Sequence, residues 1–486
     1  MSGIEHTAEL TADPTRVVAR LFLPGEGLSS AHSRTTEIAA RVLAIPPRRS
    51  EELATELLAD FQPRHLDVAS VFDRNVSAVE SRIPDAATLT PAQRTVLGAS
   101  FTAEYAVEGA ALCNPSAVEH PDQSGLLPGE LRVAVAMRSI GEGHLSSITF
   151  AEAVIGADDS WSFAERRAPL ARASISEGTW EREHLHRALE HEGRLDELSS
   201  AALRKLPKQF PVSAVETALA ELPSELTAHR DSRNDAQALH RMAASAYEAH
   251  FDPVTALSQR TLLPTSADED HGMEDARFVR FTDADGRLGY RASYTAYDGR
   301  DVAPRLITSP DLVNFVIHRL SGEAARNKGM ALFPRTVDGV HLALSRLDGE
   351  SISLAGSPDG LSWTETAVIH RPTEPWELVQ TGNCGSPIET PAGWIVLTHG
   401  VGPMRSYAIG ALLLDRDDPS RVLARTTEPI LRPSPRRRDG YVPNVVYSCG
   451  GIVHNGVLWI PFGVDDCRIR VFSVGVDELL ATMTAV

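Results

Sequence analysis

From residue 263 almost to its end the chain is a succession of short strand-forming runs, among them "RFVRF", "LGYRASYTAY", "HLALSRL", "GWIVLTHG", "AIGALLL" and "VLWIPFG", broken by Gly, Pro, Asp and Asn. So long a stretch of strand and turn points to an all-β fold, a sandwich or a propeller. An internal echo separates these. "TSPDLVNF" and "GSPDGLSW" place Ser309-Pro310-Asp311 and Ser357-Pro358-Asp359 48 residues apart, each followed by an aromatic residue. A four-stranded propeller blade repeats every 40 to 50 residues or so, which favours a propeller. Its inner strands would converge polar side chains on a central funnel suited to a small polar ligand such as a sugar.

Two helical textures interrupt this pattern. Residues 34 to 61 carry Leu53, Leu57, Leu58 and Phe61 at helical spacing, with Ser50 as the expected N-cap. Between about 165 and 260, Leu185 and Leu189, then Leu195, Leu198 and Ala202, repeat at helical spacing, and Ser213 with Glu216 fits a capping box. Strand-like runs, "LRVAVAMRSI" and "SSITFAEAVIG", lie between. The expected organisation is an N-terminal helical attachment (1–97), a first β part (98–162), a helical insertion (163–262) and the remaining β part (263–486).

With 47 Lys+Arg against 65 Asp+Glu the net charge is −18, which repels nucleic acid and anionic membrane. The N-terminus has no basic segment leading into an apolar run, and no stretch of about 18 apolar residues occurs. A cytoplasmic protein is expected. Cys113, Cys384, Cys449 and Cys467 are too few and too scattered for a disulfide framework. There is no Walker A run, no H-E-x-x-H and no G-x-S-x-G, and "GEGHLS" lacks the third glycine of a dinucleotide fingerprint. His184, His186 and His191 fall on a charge-rich helix and read as a solvated face, not as metal ligands. No metal or cofactor is expected.

The stretch "MEDARF" is unusual for a strand. Simple alternation puts Asp275 and Arg277 on one face and Glu274 on the other. A carboxyl beside a guanidinium is either a structural ion pair or a proton donor whose burial and charge environment are balanced. Other polar groups sit at strand ends: Asn114; Arg138, Glu142 and His144; Arg326, Lys328 and Arg335; and His399, with Arg405 and Tyr407 just beyond. Lone histidines and flanking cations are usually structural or solvated, and only convergence on one site would give them a role.

Taken in order, "CNPS", "RSIGEGHLSSI", "EDARF", "YTAYDG", "NKGMALFPR", "GNCGSPIET", "GWIVLTHGVG", "YAIGALLLD", "YVPNVVYSCG" and "PFGVDD" resemble glycoside hydrolase family 130, the β-mannoside phosphorylases and β-mannosidases. The resemblance spans about residues 98–162 and 263–480 and leaves both helical regions unmatched. It implies a mainly β, five-bladed β-propeller, with N-terminal helices and a helical insertion, that cleaves β-mannosides with inversion. Asp275 matches the family's general acid, thought in the phosphorylases to act through a mannose hydroxyl. Arg277 would hold the substrate or the acid, although Ala276 replaces the usual intervening proline. Asn114, Tyr297 and Asp466 match sugar-site positions, with Glu142 and His144 as further substrate contacts.

Phosphorolysis and hydrolysis separate on whether the funnel holds an anion, because phosphate needs cations or N–H donors whereas water needs a carboxylate base. Arg138, Lys328 and His399 match or neighbour phosphate positions and favour phosphorolysis, with inorganic phosphate as co-substrate. Against this, Gln380 and Thr381 stand where the phosphorylases commonly carry a lysine. The alternatives are a β-1,2-mannosidase using Glu142 as base, and a non-catalytic carbohydrate-binding propeller. The expected partners are a β-mannoside oligosaccharide, phosphate and a second copy of the chain.

Overall fold

The computed structural model describes residues 3–24, 34–83, 86–227, 232–435 and 440–486. The chain divides into a larger unit, Met1–Ala12 with Ala110–Arg166 and Ala173–Val486, and a smaller one, Asp13–Gly109 with Arg167–Arg172.

The smaller unit packs helices Arg34–Leu43, Pro47–Phe61, Val68–Val79 and Pro91–Ser100 around Val42, Val76, Val79, Leu97 and Phe101. Pro46 and Pro47 split the expected first helix in two, since proline suits a helix start and not an interior. Ser50 is therefore not an N-cap; it lies inside the second helix, buried, with its Oγ unpartnered. A strand pair, Val17–Leu21 with Thr102–Ala106, completes this unit; the first of these falls in the segment 1–97 read as helical.

In the larger unit, among the described residues, five antiparallel meanders follow one another. The first comprises Ala111–Glu119, Leu131–Ile140, Ser146–Ile155 and Trp161–Phe163. The second is Gly272–Thr282, Leu288–Tyr297, Val302–Ser309 and Asn314–Arg319. The third is Ala331–Leu332, His341–Ser345, Ile352–Ser357 and Thr364–His370. The fourth is Gln380–Asn383, Gly393–Gly402, Ser406–Leu414 and Val422–Arg425. The fifth takes Val446–Tyr447, Val457–Val464 and Arg468–Gly475 from the C-terminal part, and its outer strand, Ile4–Thr11, from the N-terminus.

Each meander packs on the next through its own apolar cluster. Phe150 meets Phe278 and Phe315 between the first and second. Trp363 with Leu306 and Ala343 joins the second to the third, and Trp394 with Leu344 and Ile352 the third to the fourth. Ile409 with Leu458 and Phe472 joins the fourth to the fifth, and Trp459 with Leu112 and Trp161 joins the fifth back to the first.

The sequence echo proves to be one turn used twice, between the third and fourth strands of consecutive meanders. Ser309 Oγ accepts from Leu312 N at 2.8 Å and Asp311 from Val313 N and Asn314 N at 2.8 Å. Likewise Ser357 Oγ accepts from Gly360 N, and Asp359 from Leu361 N and Ser362 N, all at 2.9 Å. Short oxygen-bearing side chains replace the backbone acceptors that a tight turn leaves out of reach.

The helical insertion belongs to the larger unit. It is entered and left by paired strands, Ser174–Glu177 and Tyr247–His250, the latter extending the second meander at Asn314–Arg319. Its helices close on Trp180, Leu185, Leu189, Leu198, Phe210 and Leu239. Two expectations fail here. Ser213 is no N-cap: its N and Oγ donate to the Glu177 carboxylate at 2.7 and 3.1 Å, while Glu216 pairs with His240. His184 is buried against Trp180, not solvated, and burial draws its imidazole down to about 4.

Candidate active site

Three residues that line one cavity stand on backbone that most side chains avoid: Asn114 has φ 50°, Asp275 φ 56° and Asp466 φ 49°. Asn and Asp tolerate this left-handed region best among non-glycine residues, which accounts for the residue types. Asn114 and Asp275 lie in β-bulges, between Cys113 and Ser116 and between Glu274 and Arg277. The inserted residue breaks the strict alternation of faces, so the expected split of Glu274 from Asp275 is corrected. Both carboxylates meet Arg138, whose Nη2 donates to Glu274 at 2.7 Å and whose Nη1 lies 3.4 Å from Asp275.

Asp275 also accepts from Asn114 Nδ2 at 2.6 Å. Arg277, fully buried, is fixed on three sides: Nη1 donates to the Asp275 carbonyl at 2.9 Å, Nε to the Cys384 carbonyl at 2.8 Å and Nη2 to Tyr447 OH at 2.9 Å. Lys328 pairs with Glu274 and sits 5.6 Å from the ring centre of Tyr297.

Asn114, Arg138, Asp275, Arg277 and Lys328 line one cavity of about 250 Å³, together with Arg346, Gln380, His399, Arg405, Tyr407, Tyr447 and Asp466. Its residues come from the first strands of the first, second, fourth and fifth meanders (Asn114, Asp275, Gln380, Tyr447), from the segment just before the third (Lys328), and from neighbouring strands and turns. Opposed fields act on the two aspartates. Burial pushes the Asp275 carboxyl up, but the Arg138 and Arg277 charges, the Asn114 amide and Lys328 outweigh it and hold it below its ordinary value. At Asp466 the balance falls the other way: burial, then the Asp275 charge, outweigh the pull of Arg138 and Arg405 and push its carboxyl up to about 6.

On the cavity's other flank lie cations with no carboxylate partner among the described residues. Arg346 donates Nη2 to the Gly349 carbonyl at 2.6 Å, but its Nε is buried and unpartnered. Arg405 sits on a strained turn, Met404 and Arg405 having φ 60° and 54°, and aims into the cavity near Tyr407. His399 is buried between Tyr407 and Tyr447, with Nδ1 unpartnered. Burial and the Arg346 and Arg277 charges drive its imidazole well down, so it offers a neutral ring. Gly382 makes this arrangement possible, since a Cβ there would lie 2.5 Å from His399 Cε1 and 2.7 Å from Arg346 Nε.

A family model described as β-1,4-mannooligosaccharide phosphorylase, of glycoside hydrolase family 130, matches residues 245–485. A 1,2-β-oligomannan phosphorylase from Thermoanaerobacter is 35% identical over 205 residues, 41% of this chain and 67% of that protein. A β-1,2-mannobiose phosphorylase from Listeria innocua is 32% identical over 248 residues, 49% of this chain and 67% of that protein. The chain belongs to glycoside hydrolase family 130. A solved structure of a Listeria innocua β-1,2-mannobiose phosphorylase with β-1,2-mannobiose aligns over 78% of this chain and 92% of that one, at 22% identity and a TM-score of 0.45.

Of the family 130 positions expected from sequence, Asn114, Arg138, Asp275, Arg277, Lys328, His399 and Asp466 line the cavity. Tyr297 touches it through Lys328, its hydroxyl donating to the Gly299 carbonyl at 2.8 Å. Glu142 and His144 lie outside its lining; His144 Nδ1 pairs with Tyr441 OH at 2.8 Å. Arg326 and Arg335 face elsewhere, toward His191 and Glu389. Arg346 was missed: an arginine between a strand and an Asp-Gly turn in "LSRLDGE" gives no local sign of function. No group of three or more metal-ligating side chains occurs among the described residues, and no helix among them is long and apolar enough to cross a membrane.

Proposed function

We propose that this family 130 enzyme cleaves β-mannosides such as β-1,2-mannobiose or β-1,2-oligomannosides by inverting phosphorolysis, releasing α-mannose 1-phosphate. The observation that carries this is the pair Arg346 and Arg405, two guanidiniums without carboxylate partners in the cavity that holds Asp275. Arg346 is half-buried with its Nε buried and unpartnered, and Arg405 stands exposed at the cavity; a phosphate dianion is a ligand that offsets both charges and satisfies the orphaned Nε. Arg346, packed on Gly382, supplies the charge that Gln380 does not. The names of the two relatives point to the same chemistry.

In this scheme Asp275 gives its proton to the glycosidic oxygen, directly or through a sugar hydroxyl, as the C1–O bond breaks. A phosphate oxygen bonds C1 from the opposite face. Asn114 and Arg138 orient Asp275, Asp466 binds the sugar, and Arg346, Arg405, Lys328 and the His399 ring hold phosphate. Asp275 is held ionised in the empty site, so the acid must gain its proton on substrate binding. A bound dianion offsets the field of the surrounding cations and raises the proton affinity of Asp275, which couples arming of the acid to arrival of the nucleophile.

The five meanders are proposed as blades of a five-bladed propeller. Supporting this are their order, the apolar clusters that join each to the next and the last to the first, and the N-terminal strand that completes the fifth. A cytoplasmic location is proposed from four free thiols, three of them buried. The test is to incubate the chain with β-1,2-mannobiose, with and without inorganic phosphate, and identify the products by nuclear magnetic resonance. α-Mannose 1-phosphate formed only with phosphate supports the proposal. Free mannose formed regardless of phosphate would make the enzyme a mannosidase.

A further inference from the structure

The smaller unit contains a second unusual collection of charge. In this unit Arg16, Arg48, Arg49, Arg64 and Arg94 face carboxylates, whereas Arg20, Arg74 and Arg172 form no ion pair with one among the described residues. Arg74 and Arg172 line a cavity of about 150 Å³ with His65, Asp67 and the apolar Val18 and Leu170. Arg172 donates Nη1 to the Ala19 carbonyl at 2.8 Å, while Arg20 lies flat on the Tyr105 ring at 4.2 Å.

The local carboxylates are committed elsewhere. Glu104 is taken by Arg64 and His65, at 2.7 and 2.9 Å. Asp67 caps the helix Val68–Val79, accepting from Ser70 N at 3.1 Å, and its interaction with Arg74 is its weakest. Burial, then the Arg74 and Arg20 charges, draw the Arg172 guanidinium below its ordinary value. All three arginines keep exposed surface, so solvent screens their repulsion, and an anion seated in the concavity between Arg74 and Arg172 turns repulsion into attraction.

We propose that the cavity bounded by Arg74 and Arg172 is a binding site for a phosphate group, either inorganic phosphate or the phosphate end of a small monoester. Two forked guanidiniums match a tetrahedral anion, Arg20 adds to the attractive field, and the small cavity admits the phosphate while leaving the rest of an ester in solvent. Asp67 opposes the anion and limits the affinity, so the site is expected to fill only at low salt or at high ligand concentration.

The experiment is equilibrium dialysis of the full chain against radiolabelled inorganic phosphate, comparing the wild type with R74Q and R74Q/R172Q. Among the described residues Arg74 makes no side-chain hydrogen bond that glutamine would remove, and thermal melting checks that both variants fold. The wild type is expected to hold one more phosphate than R74Q/R172Q, with affinity at that site about tenfold weaker in R74Q. Displacement of the label by glycerol 3-phosphate would mark a monoester site, and retention would mark inorganic phosphate. Equal stoichiometry in the wild type and R74Q/R172Q would overturn the proposal. The difference of one is expected whether or not the cavity at Asp275 also takes phosphate, so failure here and failure of the proposed activity are separable.

Discussion

Replacing Asp466 with Asn should stabilise the protein at neutral pH while impairing it as an enzyme. In the fold, burial and then the Asp275 charge raise the Asp466 carboxyl from 3.8 to about 6. A group whose folded value is raised contributes stability below its unfolded value and loses it as pH rises through the folded one. The window is therefore about pH 4 to 6. Above it the wild type carries an ionised, desolvated carboxylate beside Asp275, at a cost of about 3 kcal/mol from roughly two units at ~1.4 kcal/mol each. Asparagine keeps the shape and removes the charge. Chemical denaturation of both proteins at pH 4 and pH 7.5 gives the difference in midpoint at each pH. D466N should gain stability over the wild type at pH 7.5 and show little difference at pH 4. Equal or lower stability of D466N at pH 7.5 would refute the electrostatic reading of this site.

Other substitutions probe different parts of the account. D275N should reduce turnover of β-mannosides by about a thousandfold or more while leaving substrate binding measurable by calorimetry, because it removes the proton and keeps the Asn114 contact. G382A should weaken phosphate use and lower stability by about 1–3 kcal/mol, since the added methyl meets His399 and Arg346 at 2.5 and 2.7 Å; steady-state kinetics and a melt read both. W459A should cost about 3–5 kcal/mol in unfolding experiments, because Trp459 is fully buried where the fifth meander meets the first and packs, tilted, against His6 of the N-terminal strand.

The mainly β character was legible because its signal is local. Short alternating runs mark strands, and the Ser-Pro-Asp turns at 309–311 and 357–359 repeat because the same backbone geometry needs the same side-chain acceptors. What sequence could not supply depends on long-range geometry. Alternation put Glu274 and Asp275 on opposite faces, and only the bulge brings both to Arg138. Ser213 resembled a cap, but Glu177, distant in sequence, performs that role. The Ile4–Thr11 strand has its partner at the other end of the chain, so no local pattern announced it. Arg346 owes its place to the space left by Gly382, on another meander.

The most direct test of the central claim is the initial rate of β-1,2-mannobiose cleavage as a function of phosphate concentration, measured for the wild type and R346A. A phosphate-holding site built on Arg346 predicts no cleavage without phosphate, saturation in the wild type, and a KM for phosphate raised about tenfold or more in R346A. Cleavage that proceeds at the same rate without phosphate, or an unchanged phosphate KM in R346A, would contradict it.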